Sequence, residues 1–166
     1  MVATIEIDES NTAGETITHG IANCNFGSND SVNITPATYP VTAGQNSYEK
    51  FWKFHFQSTF NKVDNLRFWK SAGTIDTNAD IKTCARTTSY TQQTFATPVA
   101  TTSSKATQDI AEADPGAANL GIGGSLSGNL TSAGYSDYLV CQYQAASAHN
   151  PGDIAQLTLR FQYDEQ

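Results

Sequence analysis

Between Ser47 and Ser71 the chain reads SYEKFWKFHFQSTFNKVDNLRFWKS, and this stretch holds both tryptophans and five of the eight phenylalanines. Its aromatic residues recur with a period of two. Trp52, Phe54 and Phe56 point one way, and Phe51, Lys53 and His55 the other. After a break at Asn61-Lys62, Leu66, Phe68 and Lys70 alternate with Asn65, Arg67 and Trp69. A period of two is that of a β-strand, whose side chains alternate between faces. Two such runs separated by a few polar residues predict an antiparallel pair. The largest apolar investment of the chain therefore goes into a sheet core.

The same period recurs elsewhere. Ala3 to Ile7, Glu15 to His19, Ile21 to Phe26 and Tyr135 to Ala145 read as strands, with turns at Asn11 to Gly14 and at Ser71 to Thr74. In Ile154 to Tyr163, Ala155, Leu157, Leu159, Phe161 and Tyr163 share a face opposite Gln156, Thr158, Arg160 and Gln162, and the Asn150-Pro151-Gly152 turn joins this run to the one before it. Trp52, Phe54, Phe56, Leu157, Leu159 and Phe161 are expected in one core. Asp76 to Ala85 fits a short strand or one helical turn. Ser89 to Ala100 is Thr-rich and β-prone, and Lys105 to Ala113 fits a short helix that Pro115-Gly116 would stop. Eight or nine strands, with turn signals every ten to fifteen residues, predict an all-β fold. The expected form is a two-sheet antiparallel β-sandwich, jelly-roll-like or, alternatively, immunoglobulin-like. No repeat or linker divides residues 1–166, so a single β-sandwich domain is expected.

Charged residues make up only 15% of the chain, and Thr, Ser, Ala, Asn, Gly and Gln take their place. A neutral polar surface suits permanent association, because Thr or Ala is cheaper to desolvate than a charge. The net charge is −7. Lys50, Lys53, Lys62, Arg67 and Lys70 are the one local basic cluster, and their alternation suggests the solvated side of strands. Nucleic acid is not an expected partner, since its binding needs a denser cationic stripe. A membrane is not expected either, because no apolar run approaches the ~18 residues of a span. The opening MVATIEIDES carries three acids and no base, unlike a secretory signal, so synthesis and folding in a cytoplasm are expected.

Each chemical motif has a plainer structural reading. Gly121-Ile122-Gly123-Gly124 lacks the Lys-Ser/Thr and the following helix of a phosphate loop, and it fits a loop that hugs the sheet or a neighbouring subunit. Asp76, Asn78 and Asp80 alternate like the start of a calcium loop. The glycine at its sixth position and the glutamate at its twelfth are missing, so loop solvation is the better account. Cys24, Cys84 and Cys141 show no metal-ligand or redox spacing, and Cys24 and Cys141 fall in strand-like runs as small apolar residues. The sequons at Asn29, Asn33 and Asn129 carry no weight without a secretory signal. His19, His55 and His149 lie far apart, and no nucleophile elbow accompanies them. No enzyme, no catalytic or metal residue and no cofactor is predicted, and stability is expected to owe nothing to metal or disulfide. Trp52 shares a face with Phe54 and Phe56 and is assigned to the core. Trp69 has the opposite parity to Leu66 and Phe68, which makes it the candidate interface aromatic.

The segments TIEIDESNTAGETITHGIANCNFGS, YPVTAGQNSYEKFWKFHFQ, VDNLRFWKS, ADPGAANLGIGGSLSG, AGYSDYLVCQYQ and LRFQYDEQ resemble small virion structural proteins of tailed bacteriophages. The resemblance runs through most of the chain and rests on β-rich texture and turn sequence. It implies a component of a virus particle, made in the host cytoplasm, and carries no site residues with it. Within that class the expected role is a capsid decoration, or cementing, protein on the head exterior. Its expected partners are itself, as a homo-oligomer with a trimer favoured, and the major capsid protein. The amino-terminal strand, the Gly27–Pro40 loop and the Gly121–Gly134 stretch are the expected contacts. A tail or neck component is the alternative, as is a carbohydrate-binding β-sandwich used in host adsorption.

Overall fold

A computed structural model describes residues 2–57, 59–91, 105–150 and 156–166, without the side chains of 85 and 86. Among these residues there is no helix. Nine strands form: β1 (Ile5–Asn11), β2 (Thr16–Thr18), β3 (Lys50–Phe56), β4 (Val63–Ala72), β5 (Ala79–Thr87), β6 (Gln108–Asp109), β7 (Gly134–Tyr135), β8 (Tyr138–Ala145) and β9 (Thr158–Glu165). They make two packed antiparallel sheets, an all-β sandwich as expected. The larger sheet runs β2-β1-β3-β8-β5-β6, with β7 also on β3, and β4 and β9 form the two-stranded second sheet.

The expected pairing of the two aromatic runs is wrong. β3 lies between β1 and β8, whereas β4 pairs with β9 in the other sheet. The segment between them carries Phe60, which is buried and meets Phe56 edge-on at 6.1 Å. It is a crossing between sheets and no hairpin loop. Likewise β8 and β9 are not partners, and residues 151–155, with the expected turn and Ala155, lie outside the described residues. The physical reason is common to both. Rows of aromatics bury more surface facing each other from opposite sheets than side by side in one. Phe54 on β3 stacks on Phe161 of β9 at 3.6 Å, and Phe56 meets Tyr163 edge-on at 5.3 Å. Trp52, Phe54 and Phe56 belong to one core, against which Leu157, Leu159 and Phe161 pack, as the parity predicted.

A bulge tunes β4. Asn65 has φ of 51°, in the left-handed region that Asn tolerates, and the register with β9 slips between Asp64 and Arg67. Val63 and Leu66, three apart, therefore both face the core.

The opposite face of the larger sheet is also covered at one end. Phe51, Tyr138, Val140 and Ala106 form a second cluster with Cys84 and Tyr90. Lys50 and Lys70, expected on a solvated side, are both buried. Lys50 has the parity of Trp52, so its ammonium enters the core, where Glu9 meets it at 2.8 Å.

Two local expectations fail where side chains or long-range contacts capture the backbone. Ile21 to Phe26 forms no strand, because the Asn33 side chain accepts the N–H groups of Ala22 and Asn23 at 2.7 and 3.1 Å. Lys105 to Ala113 forms no helix. Glu49 takes the N–H groups of Lys105 and Ala106, both at 2.9 Å, and the segment then runs extended. Ile110 donates its N–H to Ile81 on β5 and Ala111 accepts that of Lys70 on β4, so this segment closes the gap between the sheets. Of Ser89 to Ala100, only 89–91 are described, and they form no strand.

Candidate functional site

On β1 the core row is Ile5, Ile7 and Glu9, which leaves Glu6 and Asp8 on the outer face. The antiparallel register sets Glu6 opposite His55 and Asp8 opposite Lys53 on β3. Beyond β2 the chain turns through His19 and Gly20. Gly20 has φ of +60° and donates its N–H to Asp8 Oδ1 at 3.2 Å. A side chain is disfavoured at that backbone angle, and a Cβ there would sit 3.4 Å from Glu6 Oε2. This turn folds the His19 ring back over β1.

The result brings two imidazoles and two carboxylates together. His19 Nδ1 lies 2.7 Å from Asp8 Oδ2, and His55 Nδ1 lies 2.9 Å from Glu6 Oε1. The crossed distances are longer, 3.7 Å for His55 to Asp8 and 4.0 Å for His19 to Glu6. Gln57 Nε2 also donates to Glu6 Oε1. Burial is graded across the group: the side chain of Asp8 is 3% exposed, His55 20%, Glu6 27% and His19 58%. The Tyr135 ring of β7 stacks on His55 at 4.2 Å and is itself 39% exposed. Burial, then the Asp8 and Glu6 charges, push its phenol up. Lys53 turns away to lie over the Tyr138 ring at 4.0 Å. Chemically, the four groups can share protons between imidazole and carboxylate, or give them up to one cation. Among the described residues this is the one group of His, Cys, Asp and Glu gathered tightly enough to share a metal ion.

The sequence reading missed this group. The alternation places Glu6 with Asp8, and His55 on the polar side of β3. Nothing in the sequence says that strands some forty-five residues apart are neighbours, or that the turn at Gly20 returns His19 to them. His149 stays apart, its Nε2 2.8 Å from the Tyr143 hydroxyl and 3.3 Å from Asp76.

The other singled-out residues serve the fold. Trp69, expected at an exposed interface, is only 5% exposed, with the Arg160 guanidinium of β9 5.6 Å from its ring. Parity named the face correctly, but that face of the ribbon is covered too. In the glycine-rich loop, Asp137 accepts the Gly124 N–H at 2.9 and 3.0 Å, and a Cβ on Gly121 would come 2.2 Å from Asp137 Oδ2. The loop closes on its own carboxylate and hugs the sheet. Asn78 donates to the Ala148 carbonyl and Asp80 pairs with Lys82 at 2.9 Å, so the Asp76–Asp80 segment is committed elsewhere. The three cysteines are free; Cys141 is buried, and burial pushes the Cys24 thiol up to about 11, away from reactive thiolate.

Comparison with protein-family models, with curated proteins and with solved structures found no match to this chain.

Proposed function

We propose that this chain is a structural, non-enzymatic component of a bacteriophage particle: a capsid decoration protein on the head exterior, working as a homo-oligomer with a trimer favoured. The observation that carries this reading is how the chain uses its charge. Acids, buried Glu49 and Asp137 among them, act as internal staples for loops. Glu49 holds the start of the Lys105 segment, Asp137 holds the glycine-rich loop, and Asp30 accepts the Thr12 N–H at 3.0 Å. Asn119 does the same without charge, accepting the Phe68 N–H and donating to its carbonyl, both at 2.7 Å. Loops fixed in this way lose little entropy on contact, and the neutral residues they display are cheap to desolvate. The resemblance in texture to phage structural proteins supports the same reading.

The expected contacts shift. β1 is paired on both sides, and the Gly121–Gly134 stretch sends Ile122 into the core beside Leu120 and exchanges backbone bonds between Leu130 and Val63. The best remaining candidates are the exposed run Thr35–Pro40, with Tyr39, and the edge strand β2, with Ile17 48% exposed.

A second reading, a carbohydrate-binding module used in adsorption, is favoured by the exposed Tyr135 ring beside Glu6 and Asp8, the kind of surface on which sugars stack. Mixing purified protein with undecorated heads, with tails and with host glycans separates the readings. Saturable binding to heads, with a rise in their heat resistance, is the expected result. Binding to tails or glycans in place of heads overturns the decoration role.

A further inference from the structure

We propose that Glu6, Asp8, His19 and His55 form a structural site for one zinc-class divalent cation, which fastens the β2 edge and its His19 turn to β1 and β3. The proposal goes beyond the particle role and does not depend on it.

Geometry is the first argument. Tetrahedral zinc sits about 2.0–2.1 Å from imidazole nitrogen and carboxylate oxygen, which puts the ligand atoms about 3.3–3.4 Å from one another. The four imidazole-to-carboxylate separations here are 2.7, 2.9, 3.7 and 4.0 Å, scattered about that value, and all four ligand atoms lie within 4.8 Å of one another. Small rotations of the two rings suffice to even them out.

The donor set is the second argument. Two imidazoles and two carboxylates suit zinc and its neighbours and suit calcium or magnesium poorly, since those prefer oxygen throughout. With both rings neutral the ligands sum to two negative charges, which one divalent ion balances. Each ring turns Nδ1 inward to a carboxylate. Binding needs each Nδ1 free of hydrogen, so a neutral ring whose hydrogen sits on Nδ1 shifts it through solvent to Nε2, with no net release, and a ring that carries hydrogen on both nitrogens gives the Nδ1 proton up to solvent.

The surroundings are the third argument. Metal ligands need partners that orient them. Asp8 Oδ1 is held by the Gly20 N–H, Glu6 by Gln57 and the His55 ring by Tyr135. Lys53, which the register sets opposite Asp8, is drawn off over aromatic rings. Asp8 is buried while His19 is more than half exposed, so the exposed ring is the way in. Four protein ligands leave no open position, which marks a structural site and no catalytic one. This departs from the sequence-based expectation that metal plays no part.

The test uses the full chain, stripped with a chelator and titrated with zinc by calorimetry, with cobalt as a spectroscopic probe. Expected are one ion per chain, a rise in melting temperature, and tetrahedral cobalt bands without a thiolate charge-transfer band. His19→Ala, at the exposed ligand, should weaken zinc by more than about 100-fold, beyond the 10–100-fold that losing an outer partner costs. Asp8→Asn should weaken it too, and Cys84→Ser should leave it unchanged. If the stripped protein takes up no zinc, or takes it up equally with His19→Ala and Asp8→Asn in place, the cluster is a set of hydrogen-bonded pairs and the proposal falls. Calcium uptake with indifference to zinc overturns it as well.

Discussion

Asp8 and Glu9 are neighbours on one strand, carry the same charge and are both buried at 2% and 1% exposure, yet they belong to opposite faces of the sheet and to sites of different kind. Glu9 points into the core. Its Oε1 accepts from Lys50 and Asn11 at 2.8 and 2.9 Å, and its Oε2 accepts from the Trp52 indole at 2.9 Å. Lys50 is satisfied again by the Ser31 carbonyl at 2.7 Å. Every partner is a fixed donor held by packing. Asp8 points outward, and its side-chain partners are imidazoles, which can hold a proton or release it. The first carboxylate is locked into the fold. The second sits in a group whose charge can be exchanged for that of an ion. Period-two geometry is what lets adjacent residues of one type take such different duties.

The largest test of this contrast is Glu9→Ala. It strands the Lys50 ammonium and the Trp52 N–H inside the core, and breaking a buried pair in this way costs about 3–5 kcal/mol. Urea unfolding measures it. Adding Lys50→Met to the same protein removes the stranded charge, so the double variant should be more stable than Glu9→Ala alone. If Lys50→Met brings no recovery, the ammonium is not what makes Glu9 necessary.

The contrast also marks where the sequence was legible. Alternation named the core face of β3 correctly, and with it Trp52, Phe54 and Phe56. It also put the alternate residues of β9 toward the same core. These are local properties of a strand, and the pattern carries them directly. Partnership is not local. The pairing of β1 with β3 and of β4 with β9 depends on which rows face each other across the sandwich, and the candidate site is made by that pairing. Parity likewise placed Lys50 with Trp52, but the general rule that lysines seek water outweighed it, because its partner Glu9 lies on a strand far back in the sequence. Trp69 failed for a related reason. A strand's second face is read as open unless something is known to cover it, and here it is covered.

Asp8→Asn is the intermediate test. The amide oxygen can still accept the Gly20 N–H, but the bond from the His19 ring is weakened at a buried position. A loss of about 1–2 kcal/mol is expected, the usual cost of an impaired buried hydrogen bond. The measurement belongs in chelator, so that protein interactions alone are read. A loss as large as that of Glu9→Ala would place both carboxylates among the fixed supports of the fold, and the distinction between locked and exchangeable would be lost.

The smallest expected effect is the sharpest. In chelator, His19→Ala removes a ring that is more than half exposed and whose polar partner is the Asp8 carboxylate. A pair with one member in solvent is worth about 0–1 kcal/mol, since water competes for the exposed group and salt screens it. Gly20 still holds Asp8 Oδ1 after the change, and removal of the exposed ring that covers Oδ2 lets water take its place there, so the carboxylate keeps a partner at each oxygen. The stability of the chelator-treated variant should therefore match that of the parent within about 1 kcal/mol. With zinc present the gap between the two should widen, because only the parent retains the full ligand set and binding to the folded state alone adds to its stability. The same substitution thus separates two roles for one histidine. A gap that is already large in chelator would mean that the ring supports the β2 turn by itself. A gap equally small in chelator and in zinc would mean that the outer carboxylates hold no ion, and that Asp8 differs from Glu9 only in the face of the sheet it occupies and in having imidazole partners.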